Sequence, residues 1–77
     1  MGQPFEEFIE VGPDGTAYLR GTDIAVADII FVYNNSGGSF AAIQRHFPEL
    51  SPEQIEAAFE YFEENTAQVY RDISNRY

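Results

Sequence analysis

Carboxylates are the residues most able to do chemistry in the second half of this 77-residue chain. Six of them lie between positions 49 and 64, where the sequence has no Lys or Arg. Helical spacing would gather five of these on one outer surface. Those five are Glu53, Glu56, Glu60, Glu63 and Glu64. Two carboxylates one turn apart, such as Glu60 and Glu64, could bind a hard cation, but oxygen-ligated sites need several convergent ligands, usually fixed by loops. We therefore interpret the run as a solvated acidic face and expect no metal ion and no other cofactor.

Few other residues are candidates for catalysis. The sequence has no Cys, and its single histidine, His46, lies near the end of a short predicted helix. A nucleophile beside a general base is therefore not evident, and a histidine in such a place is far more often a surface residue than a catalytic one. We expect a protein that is not an enzyme and has no catalytic residue.

The charge balance of the chain is strongly negative. Thirteen Asp and Glu face four Arg and no Lys, which gives a net charge of −9. A field of this sign repels phosphate backbones and attracts basic surfaces. The charge therefore favours a basic protein partner over nucleic acid.

Composition predicts one packed domain that spans residues 1–77. The chain is 44% hydrophobic and has seven Phe and five Tyr, whereas disordered chains are poor in such residues. At this length one core is only marginally stabilising, so a second copy would help. No run approaches the roughly 20 apolar residues of a membrane span, and the N-terminus lacks a signal-peptide pattern. The absence of Cys fits a reducing compartment, so we expect a soluble cytoplasmic protein without membrane attachment.

Two short β-prone runs begin the predicted fold. Residues 5–11 and 16–19 are rich in Phe, Ile, Val and Tyr, and the intervening Gly12-Pro13-Asp14-Gly15 is typical of a tight turn. The pattern predicts a β-hairpin over residues 5–19. A lone hairpin is marginal in water, so this one needs either a helix beneath it or the hairpin of a second copy beside it. We expect a homodimer joined through the hairpin.

A helix-turn-helix core is predicted over residues 24–65. The apolar run 24–33 forms its first helix, and Gly37-Gly38 ends that helix with a turn. Ser39 is a good N-cap for a short second helix that reaches Phe47.

The third helix has the most clearly marked start. Ser51 is the predicted N-cap, Pro52 takes the first helical position, and Gln54 completes a capping box. Residues 66–77 form a weaker amphipathic tail helix with no internal core to fold on, so we expect it to dock on another surface.

Helical spacing also predicts which side chains form the core. On the third helix, apolar positions repeat at spacings of four and three at Ile55, Phe59, Phe62 and Thr66. The aromatic residues expected in the core are Phe31, Phe40, Phe47, Phe59 and Phe62. Tyr61, Tyr70 and Tyr77 lie off or beyond this stripe, and Tyr is enriched at interfaces. We therefore add these three to the five glutamates as the predicted partner-binding residues.

DNA binding is the competing hypothesis. In a helix-turn-helix the start of the recognition helix enters the major groove, and basic residues hold the phosphates. Here Ser51 and Gln54 could contact bases, while Arg20 and Arg45 could contact phosphates. Four scattered arginines supply little of the phosphate affinity that DNA binding requires, so we rank this hypothesis second.

Two blocks of the sequence resemble a known family. They are RGTDIAVADII, residues 20–30, and HFPELSPEQIEAAFEY, residues 46–61. The blocks are similar to the patterns R-G-T-R-I-P-V-x-x-I and Y-P-x-L-T-x-E-x-I-x-x-A-L-x-Y of the family catalogued as domain of unknown function 433. The resemblance implies a homeodomain-like helix-turn-helix behind a short β segment, often dimeric. It also implies an antitoxin role, because many members look like antitoxins that are encoded beside a PIN-like ribonuclease toxin, block it and repress their own promoter.

The chain departs from the family pattern at three positions. Asp23 stands where the family usually has Arg, Ala25 where it has Pro, and Glu56 where a basic residue is frequent. Two of these departures replace positive charge with negative charge, which disfavours DNA. In the retained part, we expect Gly21 to permit a sharp exit from strand to helix and Thr22 or Asp23 to cap that helix.

The sequence therefore favours an acidic, antitoxin-like binding protein of mainly α fold. The acidic face and the tail of residues 66–77 would occlude the basic, RNA-binding surface of a partner, which we expect to be a PIN-like ribonuclease toxin. Two alternatives remain open: a DNA-binding transcriptional regulator, and a stand-alone structural or adaptor homodimer.

Overall fold

Six regular elements form in the part of the chain that the computed structural model describes, residues 7–77. The strands are β1 (Ile9–Val11) and β2 (Ala17–Leu19). The helices are α1 (Val26–Asn35), α2 (Phe40–His46), α3 (Pro52–Glu64) and α4 (Thr66–Arg76). The fold is thus the predicted one: mainly α, with a short N-terminal β-hairpin, a helix-turn-helix core and a tail helix.

The hairpin closes through the predicted turn. The Gly15 amide donates to the Gly12 carbonyl at 3.0 Å, and the Gly12 amide donates to the Thr16 carbonyl at 2.8 Å. The Asp14 carboxylate accepts from the Thr16 amide at 3.1 Å, and this hydrogen bond lowers the pKa of Asp14 below its ordinary value. The turn brings the two strands together in antiparallel register, with Glu10 opposite Tyr18.

The first strand is shorter than predicted. It begins at Ile9, whereas Glu7 and Phe8 lie in a turn, and residues 5–6 of the predicted strand lie outside the described residues. The carbonyl of Phe8 still accepts a hydrogen bond from the Arg20 amide at 2.7 Å. Pairing therefore continues past the strand, although the geometry there is that of a turn.

The exit from β2 depends on Gly21, as predicted. Its φ of +80° lies in the left-handed region that favours glycine, and the turn is closed by the Thr22 amide donating to the Leu19 carbonyl at 3.0 Å. The predicted cap is wrong, because the Thr22 hydroxyl accepts from the Ile24 amide and α1 begins only at Val26.

Ala25 is the N-cap residue of α1 and has no side-chain oxygen to offer. The Asp28 carboxylate supplies the cap from inside the helix by accepting a hydrogen bond from the Ala25 amide at 3.1 Å. An acidic residue in the first turn also suits the helix dipole. Ile24 and Ala25, predicted as helical, therefore precede the helix, and Ala25 is extended and bridges to Tyr18 of β2.

The end of α1 and the start of α2 follow the predicted chemistry. Gly37 has a φ of +75°, and the Gly38 amide donates to the Tyr33 carbonyl at 2.8 Å, as in a Schellman motif. The Ser39 hydroxyl then accepts from the Ala42 amide at 3.1 Å and caps α2. The turn and the cap fix where each helix stops and starts.

A complete capping box starts α3. The Ser51 hydroxyl accepts from the Gln54 amide at 3.2 Å, and the Gln54 side-chain oxygen accepts from the Ser51 amide at 2.7 Å. Pro52 occupies the first helical turn, where its missing N–H has no partner to lose. These contacts confirm the predicted start of the third helix.

The core lies around α1, which packs against β2, α2, α3 and α4. Its largest fully buried side chains are aliphatic, and they come from the hairpin and from every helix. They are Leu19, Val26, Ile29, Ile30, Ile43, Ile55 and Val69. Ala57 and Ala58 of α3 are buried as well, so this helix places small side chains inside.

The prediction of an aromatic core is wrong. None of its five phenylalanines is fully buried, and Phe40 is 40% exposed. Phe47, Phe59 and Phe62 pack against the aliphatic core from its border. On α3 the buried side is formed by Ile55, Ala57, Ala58 and Tyr61, so the stripe with Phe59 and Phe62 is its half-exposed flank.

We expect the tail helix to dock because it has no core of its own, and α4 docks on the rest of the chain. The helix contacts both α1 and α3, with Val69 only 1% exposed and Ile73 packed against the core. Buried Asp72 accepts a hydrogen bond from the Gln68 amide group at 3.1 Å. The tail is therefore an integral part of the fold.

Candidate partner-binding surface

The acidic face consists of Glu53, Glu56, Glu60, Glu63 and Glu64 of α3. All five side chains are exposed. Two features put them outside: the capping box fixes the start of α3, and burial of Ile55, Ala58 and Tyr61 turns the opposite side inward. The structure thus gathers the five glutamates on one surface, as predicted.

None of these five carboxylates forms an ion pair or a side-chain hydrogen bond with any described residue. Glu56, Glu60 and Glu64 follow one another at spacings of four residues, at which like charges on a helix repel. The face therefore carries negative charge that the described part of the chain does not neutralise. Such a surface attracts cations.

The three predicted tyrosines lie in three different environments. Tyr61 is 7% exposed, so it packs in the core and is not available as a surface contact. Burial raises the pKa of its phenol, and the nearby charge of Asp72 raises it further. Tyr70 is 47% exposed, and its ring meets the edge of Phe62 with centroids 5.5 Å apart.

Tyr77 is 63% exposed, but the rest of the fold already uses its ring and its hydroxyl. The ring stacks on Phe31 with centroids 3.9 Å apart, and the hydroxyl donates to Asp28 at 2.7 Å. The hydrogen bond to Asp28 raises the pKa of Tyr77 above its ordinary value, and partial burial adds to the effect. Tyr77 thus stabilises the fold through its internal contacts, and one face of its ring remains exposed to solvent.

Asp28 joins the end of α4 to the start of α1, which the sequence did not reveal. Arg76 donates to both of its carboxylate oxygens at 3.1 Å, in addition to the bonds from Ala25 and Tyr77. The hydrogen bond raises the pKa of Arg76 above its ordinary value. This arrangement is structural and leaves Asp28 little capacity to bind a partner.

The candidates for DNA contact are largely engaged within the chain. Ser51 and Gln54 bond to each other in the capping box. Arg20 donates to the carbonyls of Glu7 and Ile9, which holds its guanidinium against the N-terminal segment. The structure therefore gives these three side chains hydrogen-bond partners within the chain.

Arg45 is exposed and lines an open groove of about 440 Å³ between α1 and α2. The groove also contains His46, the single histidine, which meets Phe47 edge-on at 4.8 Å. Its remaining lining residues are Phe31, Val32, Asn35, Ser36 and Ala42. The groove does not include the acidic face.

Sequence reasoning missed a surface beside the acidic face, which we call the aromatic strip. It consists of five partly or largely exposed rings from four helices. They are Tyr33, Phe40, Phe59, Phe62 and Tyr70. Ring centroids are 4.9 Å apart for Tyr33 and Phe59 and 5.6 Å apart for Phe40 and Phe59. The sequence did contain a signal for this surface, because α3 has two apolar stripes at helical spacing. One stripe contains Ile55, Ala58 and Tyr61, and the other contains Phe59 and Phe62.

Two features are absent from residues 7–77. No group of three or more His, Cys, Asp and Glu there is arranged to hold a metal ion. No helix in that range has both the length and the apolar composition to cross a bilayer.

Comparison with known proteins places the chain in a family. Residues 13–62 match the family model described as "Protein of unknown function (DUF433)". The chain is also similar to the crystal structure of a DUF433 member protein from Anabaena variabilis ATCC 29413. The two share 30% sequence identity with a TM-score of 0.73, over 87% of this chain and 68% of the other. No curated protein matches the chain. With a family model over most of its length and a solved relative of the same fold, the chain belongs to the DUF433 family.

Proposed function

We propose that this chain is a non-enzymatic, antitoxin-like protein that covers the basic, RNA-binding surface of a partner, and that the partner is a PIN-like ribonuclease toxin. The observation that carries the proposal is the acidic face: five exposed glutamates on one helix, none of which forms an ion pair with a described residue. The antitoxin role itself comes from the family resemblance.

The mechanism is electrostatic and steric occlusion. A ribonuclease holds its substrate with positive charge, because phosphate contacts supply most of the affinity for nucleic acid. An acidic surface complements that charge, speeds the encounter and excludes RNA once it is bound. The net charge of −9 acts in the same direction over the whole molecule.

The partner can be identified by purifying the untagged chain from its native host at low salt. We expect one basic protein to co-purify, to have ribonuclease activity when separated, and to lose that activity when the chain is added back in stoichiometric amount. Inhibition should weaken as salt rises, because salt screens exposed charges. A partner without basic character, or a ribonuclease that the chain leaves active, would contradict the proposal.

A charge-neutral variant tests whether the acidic face makes the contact. We expect the triple variant Glu56→Gln, Glu60→Gln, Glu63→Gln to slow association with the ribonuclease by about tenfold or more at low salt. Dissociation should change less, because rim charges act mainly on encounter. Surface plasmon resonance over a salt series measures both rates.

A matched control removes the same amount of charge elsewhere. Glu7, Glu10 and Asp23 are exposed and lie outside α3, so Glu7→Gln, Glu10→Gln, Asp23→Asn removes the same three negative charges. We expect only a small decrease in association. Equal losses in the two triple variants would show that net charge matters and the acidic face does not.

DNA binding remains the competing function, and the helix-turn-helix arrangement of α2 and α3 is the observation in its favour. The hydrogen bonds that Ser51 and Gln54 already form with each other argue against DNA binding. A gel shift on promoter DNA with a salt series separates the two functions. Binding by the chain alone, with a steep loss of affinity as salt rises, would reverse our ranking.

We also propose that the chain is a homodimer joined through the hairpin. The described pairing of β1 is with β2 alone, and Val11 at its end is 54% exposed. An open strand edge can pair with a second copy. Light scattering should give twice the 8.7 kDa chain mass, and the Val11 amide should exchange more slowly as concentration rises. A monomer at every concentration would exclude both this dimer and the adaptor alternative.

A further inference from the structure

The aromatic strip is more than scattered surface hydrophobicity. Single exposed apolar residues are normal, whereas contiguous patches mark interaction sites. Here ring contacts link the strip across the helices: Phe59 of α3 touches Tyr33 of α1 and Phe40 of α2, and Phe62 of α3 meets Tyr70 of α4. Phe59 and Phe62 lie three residues apart and are neighbours on their helix.

The strip borders directly on the acidic face. Glu56 lies three residues before Phe59 and Glu63 lies four after it, so both share its side of α3. Both carboxylates are exposed. The surface is therefore an apolar centre with a negative border, an arrangement in which the centre would be dehydrated on binding and the border would set the charge of the partner.

The charge of this border selects among possible occupants. A second copy would place its own glutamates against these, and like charges facing each other are unfavourable. A polyanion would be repelled for the same reason. An apolar segment flanked by Lys and Arg satisfies both the rings and the carboxylates.

The backbone around the strip selects the shape of the occupant. All five rings lie on helices or at their surfaces, where the backbone is hydrogen-bonded internally, so the strip has no strand edge that an extended peptide could extend. Recognition must then work through side chains, as when an amphipathic helix lays one face on a groove.

We propose that the aromatic strip binds one amphipathic helix of the partner, with apolar side chains on the rings and Lys or Arg on Glu56 and Glu63. This inference rests on the proposed function, since it names the element by which the basic partner is held. The acidic face would govern encounter, and the strip would govern how long the complex lasts.

Synthetic helical peptides test the inference on the whole chain. The first has Leu and Phe along one face and Arg on both flanks. The second has the same composition with the apolar residues spread around the helix, and the third has Glu in place of Arg. We expect the first to bind more tightly than either control in fluorescence anisotropy, and to shift the NMR resonances of Phe40, Phe59 and Tyr70.

Variants of the two most exposed rings locate the contact. We expect Phe40→Ser and Tyr70→Ser each to weaken binding of the first peptide by about tenfold, as loss of a central aromatic contact does. Circular dichroism verifies that each variant is folded. If one of the two variants does not fold, the other alone tests the contact. Asn75→Ala changes an exposed side chain of α4 that lies on the side of the hairpin turn, and it should leave binding unchanged.

Several outcomes would overturn the inference. Equal binding of the first two peptides would show that charge alone determines affinity. The aromatic strip would then not be a binding site, whereas the proposed role of the acidic face would stand. Failure of the first peptide to bind would defeat the strip directly. Loss of self-association in Phe40→Ser without an effect on the peptide would identify the strip as a contact between copies. The last outcome is that the double variant Glu56→Gln, Glu63→Gln leaves peptide binding unchanged while the ring variants weaken it. That result would contradict both the contact with basic flanks and the proposed role of the acidic face.

Discussion

Asp28 and the acidic face hold carboxylates in opposite environments. The Asp28 side chain is 14% exposed and accepts hydrogen bonds from Ala25, Arg76 and Tyr77. The five glutamates of α3 are exposed and accept none from the described residues. The same functional group thus joins elements at one place and remains unpaired at the other.

The difference shows how this acidic chain divides its few cations. Of its four arginines, Arg76 is held by Asp28, and Arg20 is held by backbone carbonyls of the N-terminal segment. Two of the four arginines are therefore used where they stabilise the fold, and no ion pair among the described residues joins an arginine to the acidic face. Paired carboxylates should matter for stability, and unpaired ones for binding.

The largest expected effect is on stability, from Asp28→Ala. The variant removes the cap of α1 and leaves Arg76 and Tyr77 without their acceptor, which should lower the free energy of unfolding by about 2 kcal/mol. Urea unfolding followed by circular dichroism measures the change. Glu60→Ala on the acidic face is the control and should stay within about 0.5 kcal/mol. Equal losses in the free energy of unfolding for Asp28→Ala and Glu60→Ala would show that the two environments do not differ in their effect on stability.

The capping box gives the next largest effect. Ser51→Ala leaves the Gln54 amide without its acceptor and should cost about 1 kcal/mol in thermal or urea unfolding. Exposed Ser74 on α4 has no capping role, so Ser74→Ala should be nearly neutral. Because Ser51 sets the start of α3 without carrying charge, this variant, once folded, should bind the proposed ribonuclease partner as the parent chain does.

Alkaline pH tests the contact of Tyr77 with Asp28. Since the folded-state pKa of this phenol is raised, its stabilisation is complete below the unfolded pKa and is lost as pH rises through the folded one. The phenol is largely exposed, so the effect on stability should stay below about 1 kcal/mol. Ultraviolet titration should show one late-ionising tyrosine fewer in Tyr77→Phe. An unchanged titration would place the raised pKa on Tyr61 alone.

Removing charge from the acidic face should give the smallest change in stability, and of opposite sign. Glu56→Gln, Glu60→Gln, Glu63→Gln relieves repulsion between turns of α3 and should stabilise the fold by a few tenths of a kcal/mol. The gain should shrink as salt rises. A loss of stability would mean that these glutamates have partners within the fold and are not reserved for binding.

Local chemistry explains why most element boundaries could be predicted. The hairpin turn, the stop at Gly37-Gly38 and the caps at Ser39 and Ser51 each depend on residues a few positions apart. The start of α1 was missed by two residues, because its cap comes from Asp28 inside the helix.

Which side of α3 faces inward could not be predicted in the same way. Two apolar stripes share helical spacing, and hydrophobicity alone favours the one with Phe59 and Phe62. The structure buries Ala57 and Ala58, because α1 and α3 pack against each other and small residues permit close approach. Tyr61 was assigned to the surface for the same reason.

The candidate site was predicted in its charge and missed in its apolar part. The five glutamates required only a helix with one polar side. The aromatic strip required the relative positions of four helices, and the pairing of Asp28 with Arg76 spans 48 residues of sequence. No spacing rule reaches that far.

The bonds to Asp28 lead us to expect an order of events in folding. Joining residues 48 and 49 positions apart carries a loop-closure cost that the turns and caps do not. The last turn of α4 should therefore settle late and open first, with amides that exchange into deuterated water sooner than those of α1. A protease that cleaves near this end would need only local unfolding of α4, whereas cleavage within α1 would require the whole chain to unfold.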